Sequence, residues 1–268
     1  MSHIKLKPTR EIKIDFHPSE LDESILPEES KKVAKEYLKS EKLAENENFD
    51  IMMMLEDKVI FGYDYLYKGK KIILPEVNPV TIFYSNAVMS FGLLNQYKEK
   101  LLSESSEVGK TGQNLNLNHS GIFFQLATNC IINLQSALES FANRIIPENY
   151  LYIDKTGNII SPTISHKLYN TLPKLKNIDF RQAKNKKYNL PIEKLIQLRN
   201  NIIHLKPVEK TNSGYKGIYR DLLDFDFQKT ILGVKTFINF YENNLIEECQ
   251  CGNDFFYDTI EINKKNSR

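Results

Sequence analysis

The chain has 268 residues, 41% hydrophobic and 26% charged, with a formal net charge of +2. These values are ordinary for a soluble globular protein large enough to bury a sizeable core, and the small net charge neither requires nor excludes a nucleic-acid partner. No window of about 18 uninterrupted apolar residues occurs and no apolar run follows a basic start, so neither a membrane span nor a signal peptide is indicated and the expected compartment is the cytoplasm.

Residues 1–30 mix short β-like runs, Ile4 to Leu6 and Glu11 to Phe16, with acids and prolines, a pattern that predicts a strand or extended arm followed by a loop. Glu29 to Glu45 has the composition of a solvent-facing helix, with Val33, Tyr37, Leu38 and Leu43 as its sparse apolar side. From Lys58 to Leu74 two apolar and aromatic runs flank Lys68-Gly69-Lys70, which predicts a β-hairpin ended by Pro75 and Pro79. Its edge strands would be open to self-association or to a partner. Residues 1–79 are thus expected to form an α/β extension of a mainly α protein.

Helical patterns follow. One is predicted from Val80 to about Ser103, apolar at Ile82, Phe83, Ala87, Met89, Phe91, Leu93 and Leu94, and a solvated loop is expected over 103–119. A longer one runs from Ser120 to Ile146, where Phe123, Leu126, Cys130, Leu134, Ala137, Leu138, Phe141 and Ile145 line one face and Pro147 closes it. Glu139 and Asn143 lie one turn apart on its other side. Tyr150 to Ile160 reads as a small hairpin turning at Asp154 to Asn158.

The segment from His166 to Lys187 is basic, with Lys167, Lys174, Lys176, Arg181, Lys184, Lys186 and Lys187 against Asp179, and Tyr169, Phe180 and Tyr188 interleaved. Cations that meet phosphates and rings that stack on bases suit single-stranded nucleic acid, although a solvated loop would have the same composition. A helix over Pro191 to Leu205 and a last one from about Tyr219 to Leu245 complete a helical domain over 80–248, leaving a tail over 249–268. Three cysteines, an odd count, argue against a disulfide framework. Cys249 and Cys251 form a lone Cys-x-Cys without further ligands nearby in sequence, too few for zinc. No Gly-rich phosphate loop, Gly-x-Ser-x-Gly elbow or His-Glu-x-x-His signature occurs, so no cofactor is indicated.

The chemistry concentrates in Lys194 to Lys206. At 100° per residue, Leu195, Leu198, Ile202 and Leu205 form an apolar arc that Ile192, Ile196 and Ile203 widen, and Arg199 falls inside it. A guanidinium there must meet an acid, a phosphate or carbonyl oxygens. Asn200 and His204 stand one turn apart at the rim. Arg199-Asn-Asn-Ile-Ile-His204, after an earlier helix ending Ala137-Leu-Glu-Ser-Phe-Ala-Asn143, resembles the HEPN superfamily, whose signature is Arg, four to six residues, then His, commonly with a polar residue after the Arg. The resemblance covers about residues 80–245.

The resemblance implies an all-helical bundle that forms a homodimer, with Arg and His of both copies facing one cleft, and metal-independent endoribonuclease activity. Many members act in toxin–antitoxin or antiphage defence systems, which would make an antitoxin or a defence protein a partner; others are inactive binding modules. Cleavage of RNA by its own 2′-hydroxyl needs a base at that oxygen, an acid at the departing 5′-oxygen and positive charge on the phosphate. His204 would serve as general acid/base, Arg199 would bind the phosphate, and Asn200 would position phosphate or imidazole. Glu139 would hold Arg199 by a charge-assisted hydrogen bond without RNA. Two other readings keep the same residues: a non-catalytic module binding nucleotide, RNA or protein, and an Arg199/His204 pair serving only the core.

Overall fold

The computed structural model describes residues 3–14, 27–40, 42–44, 50–55, 58–109, 117–153, 156–182, 184–205 and 214–250. The chain is mainly α, with one small antiparallel sheet, and divides into two compact units. Leu6–Asn78 form the sheet unit, and residues 3–5 group with the chain from Pro79 onward.

In the sheet unit, β1 (Glu11–Lys13) is followed by α1 (Glu28–Lys39), β2 (Ile51–Leu55), β3 (Lys58–Tyr67) and β4 (Lys70–Pro75). The predicted hairpin is β3–β4, with Tyr67 opposite Lys70. Lys68 and Gly69 both take positive φ, +50° and +76°, as a two-residue hairpin turn matched to strand twist requires. β3 is the long central strand. Its Gly62 pairs with Ile51 on one side and Pro75 on the other, so β1 and β4 share the edge opposite β2. A Cβ at Gly62 would lie 2.7 Å from the Leu74 carbonyl oxygen and 3.0 Å from Met53 Sδ, which only glycine avoids.

α1 buries no residue, as its composition predicts, and carries Glu28 and Glu29 in its first turn and Lys39 in its last, each sign at the favourable end of the helix dipole. It is tied to the sheet by polar contacts: the Tyr37 hydroxyl donates to Asp64 Oδ2 at 2.8 Å, and Lys71 Nζ donates to the Tyr37 carbonyl at 2.8 Å. Burial and the Asp64 carboxylate push the Tyr37 phenol up to about 12.

The helical unit is built on α2 (Pro79–Glu104) and α3 (Leu117–Ile145). His119 at the start of α3 meets Glu104 at the end of α2, so the two run antiparallel. α3 buries Phe123, Cys130, Leu134, Ala137, Leu138 and Phe141 at 0% exposure, the face its periodicity marks. On α2 the buried residues are Val80, Thr81, Tyr84, Ser85, Ala87, Val88, Leu94 and Leu101, while Ile82, Phe83, Met89 and Phe91 are only half-buried and Leu93 is exposed. The Tyr84 hydroxyl donates to the Ile231 carbonyl at 3.0 Å, which lets that polar side face the interior.

After α3 the expected hairpin shows, among the described residues, a bridge of Ile153 with Ile159 and a bond from the Ile160 amide to the Tyr152 carbonyl at 2.9 Å; Asp154, where its turn was expected to begin, lies outside them. The first half of the basic segment is helical: α4 (Ile164–His166) passes through a π-turn (Lys167–Thr171) into α5 (Leu172–Lys176), which Asn177 ends in the left-handed region at φ 53°, and beyond it the described residues to Lys187 form short 3-10 turns and irregular backbone. Leu168, Tyr169, Leu172 and Phe180 are buried there. α6 (Asn189–Ile203) follows. The single last helix expected over 219–245 is two, α7 (Lys216–Asp224) and α8 (Phe227–Tyr241). Phe225 is extended and the Asp226 carboxylate accepts the Lys229 amide, so a side-chain cap replaces backbone bonds where apolar spacing alone continued the helix. Residues 3–5 close against 247–249, with Ile4 bridged to Glu248. Among the described residues no helix is long and apolar enough to cross a membrane. Cys251 and most of the expected tail lie outside the described residues.

Candidate functional site

α6 forms because Pro191 sits in its first turn, where no N–H is needed, and because Ile192, Leu195, Ile196 and Leu198 fall on one side and are buried. Each such side chain contributes about 1.5–3 kcal/mol on burial. Glu193, Lys194, Gln197, Asn200 and Asn201 are exposed. The apolar arc ends earlier than expected. Ile202 packs against the core, but Ile203 and Leu205 are 47% and 49% exposed, because the helix stops at Ile203 and the backbone leaves it at His204 with ψ 50°.

Asn200 connects the three motif residues. Its side-chain Oδ1 accepts from Arg199 Nη1 at 3.3 Å, and its carbonyl accepts the His204 amide at 3.0 Å. Arg199 is half-buried; Asn200 and His204 are exposed. The polar trio and the exposed Ile203 and Leu205 therefore share the C-terminal end of one helix.

The expected bond between Glu139 and Arg199 is not formed. α3 and α6 pack against each other through buried apolar residues, and Arg199 reaches its own neighbour instead. Glu139 is half-buried and makes no ion pair among the described residues. Asn143 Oδ1 accepts from Lys167 Nζ at 2.8 Å, and Arg144 forks onto Glu242 after α8 with bonds of 2.8 and 2.9 Å. The end of α3 is thereby fixed to the π-turn and to α8.

The basic residues do not act alike. Lys174, Lys176, Lys184, Lys186 and Lys187 are exposed. Arg181 is held by Asp179 at 3.1 Å and by the Tyr169 carbonyl at 2.8 Å, with its guanidinium over the Tyr169 ring at 5.6 Å. Burial raises the Asp179 carboxyl, but its hydrogen bonds and charge attraction to Arg181 outweigh that and hold it below the usual range. Burial, with the nearby Glu193 carboxylate, raises the Tyr169 phenol.

Sequence reasoning missed a cleft of about 480 Å³ between α6, α7 and α8, lined among others by Lys187, Lys194, Lys229, Asp221, Asp224 and Asp226. Its three lysines are matched by three aspartates, so the cleft has no excess positive charge, and Arg199, Asn200 and His204 do not line it. Among the described residues no group of three or more His, Cys, Asp or Glu side chains is gathered to hold a metal ion. Comparison with protein-family models, with curated proteins and with solved structures gave no match to this chain.

Proposed function

We propose that this protein is a HEPN-type, metal-independent endoribonuclease acting as a homodimer in the cytoplasm, with RNA as substrate. The observation that carries the reading is the end of α6: a guanidinium that meets only an amide oxygen among the described residues, one residue from an exposed amide and five from an exposed imidazole. An arginine serving only the core would be expected to meet a carboxylate inside it. The exposed Ile203 and Leu205 beside the trio give a second copy apolar surface to cover.

In such a dimer one His204 takes the proton from the 2′-hydroxyl as that oxygen attacks phosphorus. His204 of the partner subunit gives a proton to the departing 5′-oxygen, leaving a 2′,3′-cyclic phosphate. Arg199 neutralises the crowded phosphate, exchanging its bond to Asn200 Oδ1 for a charge-assisted one, and the freed Asn200 amide donates to phosphate. Lys174, Lys176, Lys184 and Lys186 attract the polyanion. An antitoxin or defence-system partner would hold the activity in check.

The test is cleavage of total RNA by purified protein in EDTA, beside His204→Ala. Chelator-resistant cleavage that the variant loses supports the enzyme. Binding of RNA without cleavage by either protein would favour the non-catalytic module.

A further inference from the structure

We infer that the sheet unit carries a separate binding surface for single-stranded RNA, formed by Tyr63, Tyr65 and Tyr67 of β3 and the lysines at the hairpin tip. Alternate residues of a strand point to one side and paired residues share it. Val59, Phe61, Tyr63, Tyr65 and Tyr67 therefore lie on one face with Ile12, Met52, Met54, Lys70, Ile72 and Leu74. The opposite face carries Asp64 and its contact to α1.

The tyrosine face is open. Tyr63, Tyr65 and Tyr67 are 49%, 50% and 52% exposed, and among the described residues none of the three stacks on another ring or bonds through its hydroxyl. Large aromatic side chains left half in water are a cost unless something covers them. Charge decides what. No strand position on this face carries a carboxylate, and cations flank the rings: Lys70 beside Tyr67, Lys68 Nζ 5.1 Å from the Tyr67 ring, and Arg10 over Phe61 at 3.9 Å, itself paired with Asp50.

Rings in a row with ammonium groups at one end match a polymer that is flat and aromatic along one side and anionic along the other. The rings repeat about every 6.7 Å along the strand, about twice the 3.4 Å rise per nucleotide of a stacked strand, a spacing at which a base fits between successive rings. Stacking of this kind tolerates any base, so the surface would hold RNA without reading its sequence. Naming RNA rather than DNA rests on the ribonuclease reading; the stacking surface itself does not.

The experiment uses the full chain and a fluorescent 12-nucleotide RNA with 2′-O-methyl groups, which cannot be cut by its own 2′-oxygen, so binding is read apart from cleavage. Tyr65→Ala and Tyr67→Ala should each weaken binding about tenfold, and Tyr65→Phe and Tyr67→Phe should restore it, since stacking needs the ring and not the hydroxyl. Lys68→Glu with Lys70→Glu changes only solvent-facing groups and should weaken binding and flatten its salt dependence. Alanine variants that bind as tightly as the parent overturn the proposal, as does a parent protein that does not bind. Binding of the DNA 12-mer in place of the RNA overturns the assignment to RNA. Alanine variants that turn a dimer into a monomer with binding untouched give the face to a second copy of the chain instead. Cleavage of an unmodified oligonucleotide, measured alongside, reports on His204 independently.

Discussion

Arg199 donates to the side chain of its own neighbour, Asn200, at 3.3 Å, and not to an acid on α3. A bond of that length to a neutral, exposed amide is weak and easily exchanged for a phosphate oxygen, whereas a carboxylate would compete with substrate. Asn200→Ala should therefore leave RNA affinity nearly unchanged if its role is to park the guanidinium. If its amide contacts phosphate in the transition state, the same variant lowers kcat by about 10²-fold. Single-turnover cleavage measured against affinity for an uncleavable strand separates the two.

His204 lies outside the helical core, so His204→Ala should alter stability by no more than about 0.5 kcal/mol while removing cleavage. A urea titration next to an activity assay checks this. Marked destabilisation would return the residue to a structural role.

Gly62 sits where the paired strands leave no room for a side chain. Gly62→Ala must push back the Leu74 carbonyl, which belongs to the β3–β4 ladder, and should cost about 1–3 kcal/mol. Chemical denaturation of the variant reads the cost; an unchanged midpoint would mean that the hairpin yields without loss.

Tyr37 keeps its proton longer in the folded chain than in the unfolded one, because burial and Asp64 oppose the phenolate and push its pKa up to about 12. Its contribution to stability is complete below the ordinary phenol value near 10 and is lost as pH rises through about 12. Tyr37→Phe should flatten the fall in stability across that alkaline range, as melting followed from neutral to high pH would record. A parallel fall in both proteins would place the loss elsewhere.

The fork between Arg144 and Glu242 joins the end of α3 to the end of α8 with two short bonds and about a third of each side chain exposed. Its geometry puts it at the upper end for a partly exposed pair. Arg144→Ala should destabilise by about 0.5–1 kcal/mol, less at high salt, as melting temperatures at two ionic strengths would show.

Residues whose neighbours are set by local periodicity were legible from the chain alone. The core face of α3 and the buried Ile192, Leu195 and Leu198 of α6 follow from helical spacing, and the hairpin follows from Lys68-Gly69 between two strand-like runs. β2 escaped because Ile51 to Leu55 is apolar without alternation, and its exposed Met52 and Met54 become intelligible only once β3 lies beside them. The break at Phe225 and Asp226 escaped because the apolar spacing of Leu222, Leu223 and Phe227 continues across it. Arg199, Asn200 and His204 were legible as a set. The partner of Arg199 was not, since a helix pattern tells which side is apolar but not how far a long side chain can reach across to the next helix.

The wide turn at Lys167–Thr171 has a consequence for the basic residues around it. A π-turn holds one residue more than the α-helix that would replace it, and here it lets Leu168, Tyr169, Thr171 and Leu172 all point inward while Lys167 reaches Asn143. Deleting a single residue from that turn would restore ordinary pitch and leave the residues after it facing as they do now. Leu172 would stay inward and Lys174 and Lys176 in water, so one codon's loss there would disturb less than the same loss in an unbroken helix, where everything beyond would turn by about 100°.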